Sequence, residues 1–198
     1  MIRIDPIKYE NWFNRPVGRY AQRAEKRLIG RFLQVKPGMR ILDVGCGTGR
    51  FTADFLKQGA KVYGLDSSPE MVEYAGRIHR GAEFIVGEAE ALPYSENHFD
   101  AVVTITALEF VADPLKALIE IRRVLKPNGT LLVGILNRNN SWNVYRRLRG
   151  LLGDPIWSRT HFFSGGELRG LLDKAGFADI VSESALLGAF ILFRGRKP

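Results

Sequence analysis

Residues 41–49 read Ile-Leu-Asp-Val-Gly-Cys-Gly-Thr-Gly, a strand followed by a glycine-rich turn. A short buried strand, Arg40 to Val44, runs into a glycine-rich turn, and a helix that begins near Phe51 follows it. Glycine has no Cβ, so a backbone rich in glycine can turn sharply and approach a ligand closely. Ligands of open α/β sheets bind beyond the carboxyl ends of the strands. The stretch therefore predicts a binding loop at one edge of a parallel sheet.

The spacing of the glycines disfavours a dinucleotide-binding loop. Such a loop would read Gly-x-Gly-x-x-Gly, and its third glycine would fall on Arg50. The observed pattern is Gly45-x-Gly47-x-Gly49, with Asp43 just before it. A carboxylate beside the loop would repel a pyrophosphate, and it suits a ligand that carries an ammonium group and no phosphate.

Strands and helices alternate through most of the chain. Five strands are predicted at residues 40–44, 61–65, 83–86, 101–105 and 130–136. This alternation predicts a parallel sheet with helices on both faces. Two closing strands, 177–183 and 187–194, are joined by a link too short for a crossover helix, so the last strand must return antiparallel. The predicted fold class is α/β, a Rossmann-like, seven-stranded, mostly parallel sheet with an antiparallel C-terminal hairpin strand.

Several local signals mark the helix ends. Pro16 starts a helix whose apolar face is predicted to be Val17, Tyr20, Ala21, Ala24, Leu28, Phe32 and Leu33. Asp113 before Pro114 starts another, which the turn at 126–129 stops. Ser164 and Glu167 form a capping box ahead of the last helix.

Composition narrows the class of protein. With 198 residues the chain is expected to form a single domain, 1–198. Its one cysteine, Cys46, excludes an internal disulfide and a multi-cysteine zinc site, and no metal is expected. No signal sequence or transmembrane segment is predicted, and a cytoplasmic location is expected. The net charge of +8 is spread widely, with denser clusters at 15–31 and 146–149, which favours a solvated surface over a nucleic-acid site.

Four segments, in the right order, resemble the class I S-adenosylmethionine-dependent methyltransferases, and within them the UbiE-like, methyltransferase type 11 group. They are Asp43–Gly49, Asp66–Met71, Gly87–Pro93 with Phe99-Asp100, and Leu125–Gly129. The resemblance covers residues 36–136 and implies S-adenosylmethionine as the cofactor. It also implies methyl transfer by in-line displacement, with a small molecule as the expected acceptor.

The resemblance carries over residue by residue to the cofactor site. Asp43 and the backbone of Gly45 and Gly47 would hold the methionine part, Asp66 the ribose diol and Glu88 the adenine amine. Family members more often have aspartate where Glu88 stands. The full set that it implies is Tyr9, Trp12, Tyr20, Asp43, Gly45, Cys46, Gly47, Gly49, Asp66, Ser67, Met71, Gly87, Glu88, Ala89, Thr104 and Ile105, with Thr106 beside them.

The acceptor side is expected outside the core at 36–136. Residues 1–35 would form a helical lid, 137–163 an acceptor-side insertion, and 164–198 the closing helix and hairpin. The aromatic residues Tyr9, Trp12 and Tyr20 would contact cofactor or acceptor, or would only form a small apolar cluster. His161, Glu109 and Tyr20 are the candidates for catalysis. A general base is optional when the acceptor atom is already nucleophilic.

Other functions stay open at this point. A methyltransferase that acts on RNA or protein would use the basic surface, although the Asn/Asp-Pro-Pro-Tyr motif of exocyclic-amine methyltransferases is missing. A cofactor-binding module without catalysis is a second alternative, and a nicotinamide dehydrogenase is a third, weakened by Arg50. The acceptor and the oligomeric state cannot be read from the sequence.

Overall fold

The structure, a computed structural model, describes residues 5–154 and 156–198. Residues 1–4 of the predicted lid and Pro155 of the predicted insertion lie outside the described residues. The helices are α1 (Pro6–Phe13), α2 (Pro16–Phe32), α3 (Thr52–Lys57), α4 (Pro69–Ile78), α5 (Pro114–Val124), α6 (Ser141–Leu151) and α7 (Gly165–Lys174). The strands are β1 (Arg40–Val44), β2 (Lys61–Asp66), β3 (Glu83–Val86), β4 (Phe99–Ile105), β5 (Leu125–Leu136), β6 (Ala178–Ala185) and β7 (Phe190–Arg196). Short 3₁₀ turns lie at Leu108–Phe110, Trp157–Arg159 and Leu186–Gly188.

The seven strands form one sheet in the order β3-β2-β1-β4-β5-β7-β6. The first five strands pair in parallel, and β7 pairs antiparallel with both β5 and β6. This confirms the predicted mostly parallel sheet with its antiparallel closing strand. The strand order reverses beside β1, so the carboxyl ends of β1, β2, β4 and β5 meet at one edge, where ligands of this architecture bind.

The sheet separates two apolar clusters, one on each face. Neighbouring residues of β1 point in opposite directions, so Leu42 lies in the cluster that α5 and α7 cover. Ile41 lies in the other, which α2 and α3 cover. Both side chains are fully buried, which explains why the strand is apolar on both faces.

Helix α2 begins at Pro16, as predicted, but its buried face differs in the first half. Val17 and Tyr20 are 59% and 67% exposed, whereas Gly18 and Glu25 are buried. The reason is α1, which the sequence patterns did not reveal as a helix. A Cβ on Gly18 would lie 2.4 Å from the backbone oxygen of Trp12, so α1 packs directly against this glycine.

Two boundaries were also wrong. Residues 126–129, predicted as a turn, lie within β5, where Asn128 has φ +61° and its N–H donates to the Lys197 carbonyl. The last strand begins at Phe190 because Leu186 and Leu187 form a left-handed turn. The capping box at Ser164 is confirmed. Among the described residues, no helix is long and apolar enough to cross a membrane.

Candidate functional site

The glycine-rich loop after β1 needs its glycines. Gly45, Gly47 and Gly49 have φ values of +72°, +53° and +78°, a region that other residues rarely adopt. A Cβ on Gly45 would lie 2.2 Å from the Cβ of Ala107, in the segment after β4. The loop is therefore packed against the end of β4, and its backbone amides lie at the carboxyl edge of the sheet.

The carboxylate of Asp66, the last residue of β2, is fixed against this loop. Its Oδ2 accepts from the Gly47 N–H at 2.8 Å, and its Oδ1 accepts from the Ser68 N–H at 2.9 Å. Burial raises the pKa of Asp66, while these backbone hydrogen bonds act to lower it. Each carboxylate oxygen can accept more than one hydrogen bond, so the group keeps capacity for a ligand's hydroxyls.

Asp43 lies beneath the loop and is only 2% exposed. Its Oδ2 accepts from the Thr52 hydroxyl at 2.9 Å, which ties the end of β1 to the first turn of α3. Burial raises the pKa of Asp43 to about 7, against the opposing effect of the Thr52 hydrogen bond. The structure thus gives this carboxyl a role in holding the loop in place.

The other residues of the predicted cofactor set surround the same edge. Met71 and Ala89 are buried, while Glu88 is exposed and free to reach a ligand. The Gly87 N–H donates to the carbonyl of Asp66, which joins the end of β3 to the end of β2. Ser67 is the residue after Asp66 and lies at the same edge of the sheet. At the end of β4, Thr104 and Ile105 are buried and Thr106 has φ +50°.

Cys46 is buried within the loop, and burial is the largest cause that raises the pKa of its thiol. The nearby carboxyls of Asp43 and Asp66 raise it further. A thiol that stays protonated is a poor nucleophile, so Cys46 serves here as a small buried side chain rather than as a reactive group.

Helix α1 lies over the loop. A Cβ on Gly47 would be 4.0 Å from the Tyr9 hydroxyl, so this side chain contacts the loop backbone. The Phe13 ring meets the rings of Tyr9 and Trp12 edge to face at 5.0 and 4.7 Å. The aromatic residues of α1 therefore form a cluster, of which Tyr9 contacts the loop, whereas Tyr20 on α2 is exposed.

Polar contacts that the sequence analysis missed hold α1 in this position. Glu10 accepts from the Thr48 hydroxyl at 2.6 Å and forms an ion pair with Arg50. Arg50 also donates to Gln22 of α2 at 2.7 Å, and its guanidinium lies 4.4 Å from the centre of the Phe13 ring. The residue that broke the dinucleotide pattern thus joins the loop to both N-terminal helices.

Glu109, in the 3₁₀ turn after β4, is 1% exposed. Its Oε1 accepts from the Leu136 N–H at 2.7 Å, and its Oε2 is buried with no hydrogen-bond partner among the described residues. Burial raises the pKa of Glu109 to about 7. The His161 N–H donates to the Glu109 carbonyl, while the His161 side chain is exposed.

A second buried acid, Glu25 of α2, was also missed. Burial raises its pKa to about 7, while the charges of Arg146 and Arg50 lower it. Arg146 of α6 donates to the Asn143 side chain at 2.9 Å and lies 5.0 Å from the centre of the Trp157 ring. The charge of Glu25 in turn raises the pKa of Glu109, so the two acids lie near one another on this side.

The arrangement fits S-adenosylmethionine. The glycine loop at the carboxyl edge of the sheet and the Asp66 carboxylate beside it suit a ligand with an amino acid part and a ribose diol. Among residues 5–154 and 156–198, no group of three or more His, Cys, Asp or Glu side chains is placed to hold a metal ion.

Comparisons with known proteins agree with this geometry. A family model described as a methyltransferase domain matches residues 42–133. An uncharacterized methyltransferase from Synechocystis is 35% identical over 151 residues, which is 73% of this chain and 69% of that protein. An uncharacterized protein from Mycobacterium bovis is 35% identical over 182 residues, 92% of this chain. The chain spans 61% of the length of that relative.

A solved structure from Thermotoga maritima is similar throughout. It is described as an S-adenosylmethionine-dependent methyltransferase and possible histamine N-methyltransferase, and it is 32% identical with a TM-score of 0.83. The match covers 96% of this chain and 95% of that one. The chain therefore belongs to the class I S-adenosylmethionine-dependent methyltransferases.

Proposed function

We propose that the chain binds S-adenosylmethionine at the glycine loop and transfers its methyl group to a small-molecule acceptor, as a member of the UbiE-like group. The observation that carries the cofactor half is the Asp66 carboxylate, held against the Gly47 amide at 2.8 Å. The observation that supports the acceptor half is the buried Oε2 of Glu109, which has no hydrogen-bond partner within residues 5–154 and 156–198. The division into lid, core, insertion and closing hairpin belongs to the same proposal, as does a cytoplasmic location.

When bound, S-adenosylmethionine supplies an activated methyl group and leaves as a neutral thioether. The chain's own task is to orient the two reactants and to exclude water. Asp66 holds the ribose hydroxyls, Glu88 accepts from the adenine amine, and the backbone of the glycine loop holds the methionine part. Asp43 supports cofactor binding without a direct contact, because its carboxylate accepts from the Thr52 hydroxyl and so holds the glycine loop in position.

Glu109 receives the acceptor. A buried oxygen without a hydrogen-bond partner costs free energy, and a bound hydroxyl or amine that donates to it removes that cost. Ala107, two residues earlier, packs against Gly45, so Glu109 lies at the same edge as the cofactor loop. With a pKa of about 7, its carboxyl can also take the proton that the acceptor loses.

Helix α1 closes the site. Tyr9 places its ring over the loop, with Trp12 beside it on the same helix, and the Glu10–Arg50 pair holds the helix there. Exclusion of water strengthens the electrostatic interactions inside and prevents wasteful hydrolysis. The description of the Thermotoga protein as a possible histamine N-methyltransferase is in keeping with a small acceptor that carries a hydrogen-bond donor.

The test is the transfer of label from S-adenosylmethionine that carries ¹⁴C in its methyl group. The full chain is incubated with the small-molecule, RNA and protein fractions of a cell extract, and Asp66→Ala is run in parallel. We expect label in the small-molecule fraction that is lost with Asp66→Ala. Label in RNA or protein would contradict the small acceptor, and binding without any labelled product would indicate a module that does no chemistry.

A further inference from the structure

Helix α6 turns its apolar side chains toward solvent. Tyr145 and Leu148 are each 53% exposed, and Leu151 and Leu152 are 84% and 87% exposed. With Val144 these side chains follow one another at helical spacing, three or four residues apart, and form what we call the α6 face. Isolated exposed apolar residues are ordinary, but a contiguous face of this kind marks an interaction surface.

The opposite side of α6 is the one that packs, and it is polar and small. Asn143 is fully buried, and its amide donates to the carbonyls of Asn137 at 3.0 Å and Ala189 at 2.8 Å. Gly150 lies so close to Trp157 that a Cβ would sit 2.6 Å from its carbonyl carbon. Ordinary surface helices bury their apolar stripe. In α6, the contacts of Asn143 and Gly150 place the polar side against the protein and leave the apolar side in solvent.

A strained turn adds one more leucine next to the start of α6. Leu187 is 100% exposed and has φ +54°, and its carbonyl accepts from the Asn140 side chain that caps α6. Leucine in the left-handed region costs free energy, since its Cβ crowds the following carbonyl. The exposed position of the Leu187 side chain therefore comes with a cost in the free energy of folding.

Arginines flank the α6 face. Arg147 is exposed, and Arg149 is half exposed and forms an ion pair with Asp154 at 2.7 Å. Trp142, 55% exposed, lies at the border of the face with the Arg146 guanidinium 5.8 Å from the centre of its ring. Leucines inside, with arginines and an aromatic ring at the border, are what an anionic lipid interface binds.

We propose that the α6 face, together with Leu187, docks the chain onto an anionic lipid surface. The leucines enter the boundary between headgroups and acyl chains, and Arg147 and Arg149 bind lipid phosphates. A second copy of the chain fits the face less well, because its own arginines and its net charge of +8 would repel. The inference does not depend on methyl transfer, so each can fail without the other.

The test is flotation of the full chain with vesicles of equimolar phosphatidylcholine and phosphatidylglycerol, and with phosphatidylcholine alone. We expect binding to the anionic vesicles that weakens with salt. Leu148→Gln/Leu151→Gln should reduce the binding constant more than about tenfold, since two exposed leucines lose their apolar contact. Arg147→Gln should reduce it about fivefold.

Controls are Ile119→Gln, which changes an apolar residue of α5 about as exposed as Leu148, and Arg80→Gln at an exposed arginine; both variants should bind as the wild type does. Brominated lipid in the anionic vesicles should quench tryptophan fluorescence of the wild type and much less that of Trp142→Phe. Absence of binding to anionic vesicles, or binding unchanged by the double leucine substitution, would overturn the proposal. So would a wild-type dimer in sedimentation velocity that becomes a monomer with Leu148→Gln/Leu151→Gln.

Discussion

Glu10 on α1 and Arg50 at the end of the glycine loop form an ion pair, with Oε2 and Nη1 2.5 Å apart. Their side chains are 22% and 16% exposed, so the pair is largely shielded from water. It joins the segment that covers the loop to the loop itself. The position of α1 against the loop therefore depends in part on two charges.

Breaking this pair should weaken cofactor binding. In Glu10→Gln, α1 loses its charge-assisted contact with the loop, and we expect the Kd for S-adenosylmethionine to rise several-fold. A double-mutant cycle with Arg50→Gln should give a coupling free energy of at least about 1 kcal/mol, measured by isothermal titration calorimetry. Glu73→Gln, at an exposed position of α4, is the matched control. Additive effects of the two substitutions would show that the pair does not hold α1.

Gly45 should not tolerate a side chain. Gly45→Ala adds a Cβ 2.2 Å from Ala107 at φ +72°, and we expect a loss of more than about 2 kcal/mol in the free energy of unfolding. Gly166→Ala is the control, because nothing lies within 4 Å of its Cβ position in α7. Urea denaturation measures both. A Gly45→Ala protein as stable as the wild type would refute the packing described for the loop.

Glu109 should determine the pH dependence of turnover. Because its carboxyl has a pKa of about 7 and must be ionised to accept a proton, kcat/KM should rise as the pH passes through about 7. In Glu109→Gln, turnover should fall about a hundredfold and the rise should disappear. Initial rates with the acceptor found in the extract assay test this, with the exposed Glu96→Gln as control. If kcat/KM of Glu109→Gln still rose near pH 7, another group would be responsible for the pH dependence and the role given to Glu109 would be wrong.

The buried acids should also make stability depend on pH. Burial raises the pKa of Glu25, Asp43 and Glu109 to about 7, whereas in the unfolded chain they titrate near pH 4. Between these values the folded chain binds more protons, so the free energy of unfolding falls as the pH rises from about 5 to 8. Urea denaturation at both ends of this window checks it. Glu25→Gln should flatten the dependence, and stability that rises over this window would contradict the account.

Much of the fold could be predicted because its signals are local. The alternation of strands and helices, the Pro16 start and the Ser164 capping box each depend on a few neighbouring residues. The position of β7 between β5 and β6 could not be predicted. The short link between the two closing strands shows that they run antiparallel to each other, but not which strand of the sheet each one pairs with. The prediction of a turn at 126–129 was wrong, because these residues form an irregular part of β5 in which Asn128 has a left-handed conformation.

The candidate site divides in the same way. The glycine loop and Asp66 could be predicted because each belongs to a recognisable sequence motif. Glu25 does not, although its spacing of three and four residues from Leu28 and Ile29 puts it on the buried face, a signal that the predicted face missed. The Glu10–Arg50 contact joins positions forty residues apart, which no local pattern reveals. The outward apolar face of α6 runs against the rule that such stripes face the core.

Calorimetric titration of the full chain with S-adenosylmethionine measures whether the glycine loop and Asp66 bind the cofactor. We expect one site per chain for the wild type and for Asp173→Ala, an exposed acid on α7. With Asp66→Ala the affinity should fall more than about tenfold, because the ribose hydroxyls lose their acceptor. A wild-type chain that binds no S-adenosylmethionine, or an Asp66→Ala chain that binds it equally well, would contradict the account.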